Sequence, residues 1–88
     1  MSSFTVYTRE NCGLCEELLA ALVPLAARHG VPVQTVDLDH AADPVRQRRY
    51  TLKVPVLEWD GVPVGFGHLD AAALEALLSR TGRHPPSR

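Results

Sequence analysis

Cys12 and Cys15 are the residues of this chain whose type and spacing can do chemistry. They are the only cysteines in the 88-residue sequence, and they enclose Gly13 and Leu14. A thiolate attacks disulfides, and the backbone N–H groups at the start of a helix stabilise such an anion. This setting can lower a thiol pKa from about 8.5 to roughly 3.5–7.5. A second thiol one helical turn further on can then resolve the mixed disulfide.

The segments around the two cysteines predict the frame that positions them. The apolar segment Phe4–Thr8 predicts a strand, and residues 13–29 carry an apolar stripe at helical spacing. Within that helix, Pro24 cannot donate to the carbonyl of Ala20, so we expect a kink or a break there. A Cys-x-x-Cys between a strand and a helix is typical of a dithiol redox site. A structural thiol pair, or half of a metal site, is the alternative that these four residues leave open.

The rest of the chain predicts five further elements. Asp43 and Pro44 form a helix start, Asp60-Gly61 forms a two-residue hairpin turn, and Pro63 places its strand at an edge of the sheet. The predicted elements are strands at 31–37, 54–59 and 62–66 and helices at 44–50 and 71–80. The order is then β-α-β-α-β-β-α. Right-handed crossovers make the first strands parallel. We therefore expect an α/β fold with a four-stranded mixed sheet and helices on both faces.

Composition and charge bound the class of protein. Hydrophobic residues make up 45% of the chain, charged residues 22%, and the net charge is −1. The composition predicts one soluble domain over residues 1–82, and the net charge gives no reason to expect a nucleic-acid partner. The segment His84–Arg88, which follows the last predicted helix and contains two prolines, predicts a flexible tail at 83–88. The cluster Arg46, Arg48 and Arg49 predicts a solvated helix face. With no leader and no long apolar stretch, we expect a cytoplasmic monomer with no membrane partner.

Histidines raise the question of a metal site. Cys-x-x-Cys together with two histidines can bind zinc, and the chain has His29, His40, His68 and His84. Their spacing matches no zinc-finger pattern. We therefore expect no bound metal, and we expect His68 to be a solvent-exposed residue.

Three motifs in their order along the chain resemble the glutaredoxin branch of the thioredoxin fold. They are Cys12-Gly13-Leu14-Cys15 after the first strand, Lys53-Val54-Pro55 before the third, and Gly67-His68-Leu69-Asp70 before the last helix. The resemblance covers residues 4–80. The chain is most similar to small bacterial glutaredoxin-like proteins with a Cys-x-Leu-Cys site.

The resemblance implies roles for five residues beside the cysteines. It implies a cis Pro55 packed against the cysteine pair, with the backbone of Val54 pairing with the substrate as an added strand. It also implies that Arg9 meets a carboxylate of glutathione. Gly67 would allow close approach of the ligand, and Asp70 would receive its glutamyl end.

The activity implied is thiol–disulfide exchange, with Cys12 attacking and Cys15 resolving. The substrates would be protein or glutathione disulfides, with glutathione as a co-substrate and no tightly bound cofactor. Phe66 departs from the family pattern, which has glycine there, and its ring would narrow the glutathione groove. Strand alternation places Val62, Val64 and Phe66 on one face, so burial in the core is the competing expectation for Phe66. A redox-quiet binding module with the same fold is the alternative function.

Overall fold

A four-stranded mixed sheet forms the centre of the protein in a computed structural model that describes residues 2–79. Its strands are β1 (Phe4–Thr8), β2 (Val33–Asp37), β3 (Val56–Trp59) and β4 (Val62–Phe66), and its helices are α1 (Gly13–Arg28), α2 (Pro44–Tyr50) and α3 (Ala71–Leu77). The strands lie in the order β2-β1-β3-β4. β1 pairs parallel with β2 and antiparallel with β3, and β3 pairs antiparallel with β4. The predicted element order and the mixed sheet are confirmed.

Helices cover both faces of the sheet, as predicted. Alternate residues of β1 point to opposite faces, so Phe4 and Val6 meet α1 and α3 while Tyr7 meets α2. The buried residues of the first layer are Phe4, Val6, Leu18, Leu22, Leu25, Ala26, Val31, Leu57, Leu74 and Leu78. Those of the second layer are Tyr7, Leu38, Tyr50 and Val56. The larger layer anchors the helix that carries the cysteines.

Of the kink or break predicted at Pro24, the break does not occur. The helix is continuous from Gly13 to Arg28 with Pro24 inside it. Ala20, whose carbonyl loses its donor, is exposed, and so is Pro24. Water can therefore bond to the freed carbonyl, and the buried stripe on the opposite face holds the two halves of the helix together.

Gly30 ends α1 and explains why β2 begins later than predicted. Gly30 has a φ of 69°, the left-handed conformation that glycine adopts without steric cost. The N–H of Gly30 donates to the carbonyl of Ala27 (3.1 Å), and the N–H of Val31 donates to that of Ala26 (2.9 Å). This is a Schellman motif. It uses Val31 to close the helix, so the strand starts at Val33 and not at position 31.

A bulge in β4 overturns the predicted alternation of its side chains. Asp60 and Gly61 make the predicted two-residue turn with φ values of 50° and 87°, and β4 lies at the edge of the sheet as predicted. Leu57 pairs with Gly65, but the next residue of β3 pairs with residue 63, so Val64 is an extra residue. Val62 and Phe66 consequently lie on opposite faces of the sheet. Phe66 is 46% exposed, so it is not a core residue.

A buried carboxylate lies beside the second layer, under α2. The sequence does not predict a buried charge there. Glu58 is 1% exposed; it accepts hydrogen bonds from Arg46 Nε (2.8 Å) and from the Tyr50 hydroxyl (2.5 Å). Burial, together with the hydrogen bond to Glu58, raises the pKa of Tyr50 to about 12. Arg46 also bonds to Asp43 (2.9 Å) and lies over the ring of Tyr7. Arg46 therefore pairs with the buried carboxylate of Glu58, and the prediction that it belongs to a solvated helix face is wrong.

Asp70 begins α3, as its sequence position predicts. Its carboxylate accepts a hydrogen bond from the N–H of Ala73 (2.9 Å). Leu69 and Leu74, on either side of this cap, both pack into the first layer. The predicted end of this helix at Arg80 and the predicted tail at 83–88 lie outside the described residues. Within residues 2–79, no helix is long and apolar enough to cross a membrane.

Candidate active site

The sheet brings the three sequence motifs to one of its edges. Tyr7 near the end of β1 pairs with Val56 at the start of β3, and Val56 also pairs with Phe66 at the end of β4. The segments that continue from these strand ends therefore emerge on the same side. They are the loop to Cys12, the Lys53-Val54-Pro55 segment and the loop from Gly67 to Asp70.

Cys12 and Cys15 form a disulfide at the start of α1. Cys12 is the N-cap residue and is partly exposed, whereas Cys15 is 2% exposed in the first turn of the helix. The sulfur of Cys12 accepts a hydrogen bond from the N–H of Cys15 at 3.0 Å. The same N–H would face a thiolate on Cys12 in the reduced protein, and the helix dipole would add to its stabilisation. The two cysteines thus differ in access and in electrostatic environment.

Val54 and Pro55 lie directly before β3. The peptide bond between them is cis, and Pro55 is buried. The carbonyl of Pro55 accepts a hydrogen bond from the N–H of Gly67 at 2.7 Å, which joins this segment to the end of β4. Among residues 2–79, the backbone N–H and C=O of Val54 make no hydrogen bond. A partly exposed backbone edge is therefore open for pairing.

Gly67 and Asp70 lie in the loop from β4 to α3. Gly67 has a φ of 65°, and a Cβ there would meet nothing within 4 Å, so conformation and not space favours glycine. Asp70 uses one carboxylate oxygen to cap α3, and the second makes no hydrogen bond within residues 2–79. His68 is 64% exposed, and its Nδ1 lies 3.7 Å from Glu17 of α1. The predicted exposure of His68 is confirmed.

Arg9 lies in the loop between β1 and Cys12, and its side chain has partners that the sequence did not reveal. Its guanidinium makes a bidentate pair with Asp39 through Nε (2.9 Å) and an NH2 nitrogen (3.0 Å). It also donates to the carbonyl of Thr51 at 2.7 Å. The hydrogen bond from Arg9 holds the pKa of Asp39 below its ordinary value. No local sequence signal pairs these residues, which are 30 and 42 positions apart.

Phe66 lies beside the Lys53-Val54-Pro55 segment. Its ring contacts Tyr50 edge-on at 6.2 Å between centroids, and the ammonium of Lys53 lies 5.1 Å from its centre. Phe66 remains exposed at the end of β4. No group of three or more potential metal ligands comes together in the described part of the chain.

Comparison with known proteins assigns the family. The chain matches the family described as Glutaredoxin-like domain (DUF836) over residues 3–79, and it belongs to that family. No match was found among curated protein sequences.

Solved structures agree with this assignment and define the fold as the thioredoxin fold. The X-ray structure of a structural-genomics target protein from X. campestris, XcR50, is 32% identical with a TM-score of 0.70, over 88% of this chain and 96% of that one. A mutant thioredoxin from Halobacterium salinarum is 25% identical with a TM-score of 0.70, over 97% and 78%. Oxidised thioredoxin O2 from Arabidopsis thaliana is 19% identical with a TM-score of 0.71, over 94% and 76%.

Proposed function

We propose that this protein is a small thiol–disulfide oxidoreductase in which Cys12 is the nucleophile and Cys15 the resolving thiol. The observation that carries the proposal is the unequal pair at the start of α1. Cys12 is partly exposed and accepts the Cys15 N–H, whereas Cys15 is 2% exposed. A nucleophile needs access and a stabilised anion, and a resolving thiol needs only to reach its neighbour.

The reaction transfers two electrons from the dithiol to the substrate. The Cys12 thiolate attacks one sulfur of a substrate disulfide, forms a mixed disulfide and releases the other sulfur as a thiolate, which takes up a proton. Cys15 then loses its proton and attacks the Cys12 sulfur, releasing the second substrate thiolate, which is protonated in turn. The protein is left with the Cys12–Cys15 disulfide, and a thiol reductant restores the dithiol.

The backbone of Val54 is the proposed docking edge for the substrate. Its free N–H and C=O can pair with an extended segment next to the substrate cysteine. Protein disulfides and glutathione mixed disulfides both offer such a backbone, and glutathione is the co-substrate that the family implies. Gly67 and Asp70 remain candidate contacts for a bound glutathione.

Alkylation of the reduced protein as a function of pH tests the assignment of the two thiols. We expect Cys12 to react well before Cys15 at pH 6. At pH 6, a thiol with a pKa near 6 is about half thiolate, against less than about one per cent for a free thiol. The chain unfolded in denaturant is the control, in which the two rates should converge. Equal rates in the folded protein at pH 6 would contradict the assignment.

Replacement of Phe66 tests the use of glutathione. We expect Phe66→Gly to raise the rate with a glutathione mixed disulfide, because removal of the ring opens the end of β4 beside the docking edge. Phe66→Leu keeps an apolar side chain and is the matched control. Thermal unfolding of both variants checks that the lost contact with Tyr50 has not unfolded the domain. An unchanged rate in a folded Phe66→Gly variant would show that the ring is no obstacle.

A further inference from the structure

The side chain of Arg9 connects three loops at the edge of the sheet that carries the cysteines. All three guanidinium nitrogens donate hydrogen bonds. Nε and Nη2 donate to the two carboxylate oxygens of Asp39. Nη1 donates to the carbonyl of Thr51 (2.7 Å), and Nη2 also donates to the Thr51 hydroxyl (3.0 Å). Arg9 lies three residues before Cys12, and Thr51 lies three residues before Val54. One side chain therefore joins the redox loop to the segment that leads into the docking edge.

The contacts of Arg9 with Asp39 and Thr51 have a geometry that can hold the three loops in a fixed arrangement. Isolated surface ion pairs contribute little to stability, but bidentate arginine–carboxylate pairs within a network are the exception. The carbonyl of Thr51 is also one of the unpaired carbonyls at the end of α2, where a cation is favourable. Arg9 is 31% exposed in this arrangement, so most of its surface faces protein and not water.

The segment held by Arg9 is short and has few other backbone hydrogen bonds. Between Thr51 and Pro55, the N–H of Lys53 bonds to the carbonyl of Tyr50 (2.8 Å) and the carbonyl of Pro55 bonds to Gly67. Val54 has no backbone hydrogen bond within residues 2–79 to fix its direction. The side chain of Val54 packs against the second layer and Pro55 is buried, so the C-terminal end of the segment is held by packing. The contact of Arg9 with Thr51 holds the other end, and the two together set the direction of the Val54 backbone.

We propose that Arg9 is a positioning residue that holds Thr51–Pro55 in place for substrate pairing, and that it does not receive a glutathione carboxylate. The inference rests on the proposed oxidoreductase function and deepens it. A carboxylate ligand would have to displace Asp39, which already occupies the guanidinium fork. Glutathione recognition, where it occurs, then falls to the Val54 backbone and to the loop from Gly67 to Asp70.

Two substitutions that break the same pair distinguish the two roles of Arg9. Arg9→Gln and Asp39→Asn should both raise the KM for a peptide disulfide and for a glutathione mixed disulfide, each lowering kcat/KM by about tenfold. The expected loss is smaller than the roughly 100-fold loss of rate that a 1 Å misplacement of a reacting group can cause. The double variant should be no worse than either single one, because both break one connection. Arg28→Gln removes a surface ion pair (Arg28–Glu75, 3.4 Å) at the far end of α1 and is the control.

Opposite results overturn the proposal. If Arg9 received the glutathione carboxylate, Asp39→Asn would free it and raise activity with glutathione, while Arg9→Gln would lower activity with glutathione alone. Arg9→Lys keeps the charge but not the fork. Wild-type kinetics for Arg9→Lys would therefore show a long-range effect on the Cys12 thiolate and not positioning.

Hydrogen exchange separates failure of this proposal from failure of the proposed function. In Arg9→Gln and Asp39→Asn, the amide of Lys53 should exchange faster than in the parent, while amides within α1 should not change. This measurement needs no turnover. If the parent reduces no disulfide, the oxidoreductase proposal fails and exchange alone decides the role of Arg9. If the parent is active but exchange and KM are unchanged in both variants, only the positioning role is lost.

Discussion

Replacement of Cys12 by serine is expected to abolish disulfide reduction while leaving the fold intact. The loss should be roughly 10³-fold or more, because removal of a catalytic nucleophile can cost about 10⁶-fold in an enzyme. Serine is among the best N-cap residues, so its hydroxyl can accept the Cys15 N–H that now bonds to the Cys12 sulfur. Turnover of a disulfide substrate and the thermal midpoint of the variant are the measurements. A substantial remaining activity would overturn the role of Cys12.

Cys15→Ser is the matched variant, and its phenotype should differ in kind. Cys12 can still attack, but no buried thiol remains to release the substrate. We expect the mixed disulfide on Cys12 to accumulate, with mass spectrometry showing one substrate thiol per chain. Added thiol reductant should release it. If Cys15→Ser instead lost all reaction while Cys12→Ser retained it, the two roles would be exchanged.

Loss of the Arg46 guanidinium is expected to lower the stability of the fold strongly. Arg46→Met keeps an apolar side chain of similar length but leaves the carboxylate of Glu58, which is 1% exposed, without its cation. Removal of one partner of a buried ion pair costs about 3–5 kcal/mol. We expect a loss of about 3 kcal/mol, the lower end of this range. Arg46 is itself 31% exposed, so water can reach the carboxylate of Glu58 once the guanidinium is removed. At about 4–8 °C per kcal/mol for a domain of this size, the thermal midpoint should fall by roughly 12–24 °C.

Two further variants show whether the unpaired charge of Glu58 causes the loss of stability in Arg46→Met. Arg48→Met changes an exposed arginine of the same helix and should alter stability by no more than about 0.5 kcal/mol. Adding Glu58→Gln to Arg46→Met removes the unpaired charge and keeps an acceptor for the Tyr50 hydroxyl. The double variant should therefore be more stable than Arg46→Met alone. Equal effects of Arg46→Met and Arg48→Met would refute the explanation.

The sequence predicts the fold well because local signals mark the ends of its elements. Asp43-Pro44 and Asp60-Gly61 mark a helix start and a hairpin whose geometry few other residues allow, and both lie where the sequence places them. Cys12 lies at the start of α1, where the run of helix-forming residues that follows it in the sequence places it. The cysteine pair and its position on α1 could thus be predicted from neighbouring residues alone.

Features that depend on distant partners could not be predicted in this way. Arg9 was expected to be open to a ligand, but it meets Asp39 and Thr51, which only the sheet topology brings near. Glu58 is the only charged residue of β3, and nothing in the neighbouring residues indicates that its carboxylate is buried. It is buried because α2 covers its face of the sheet and supplies Arg46. In each case, charge complementarity across the fold outweighs the local pattern.

The extra residue in β4 separates two properties of the protein that would otherwise be linked. In a regular strand, Phe66 would share a face with Val62, and a change of its size would disturb the layer that anchors the cysteine helix. Because Val64 shifts the register, Phe66 meets Tyr50 and Lys53 on the opposite side. A substitution at position 66 can therefore alter the surface beside the proposed docking edge while the packing of α1 and α3 stays the same.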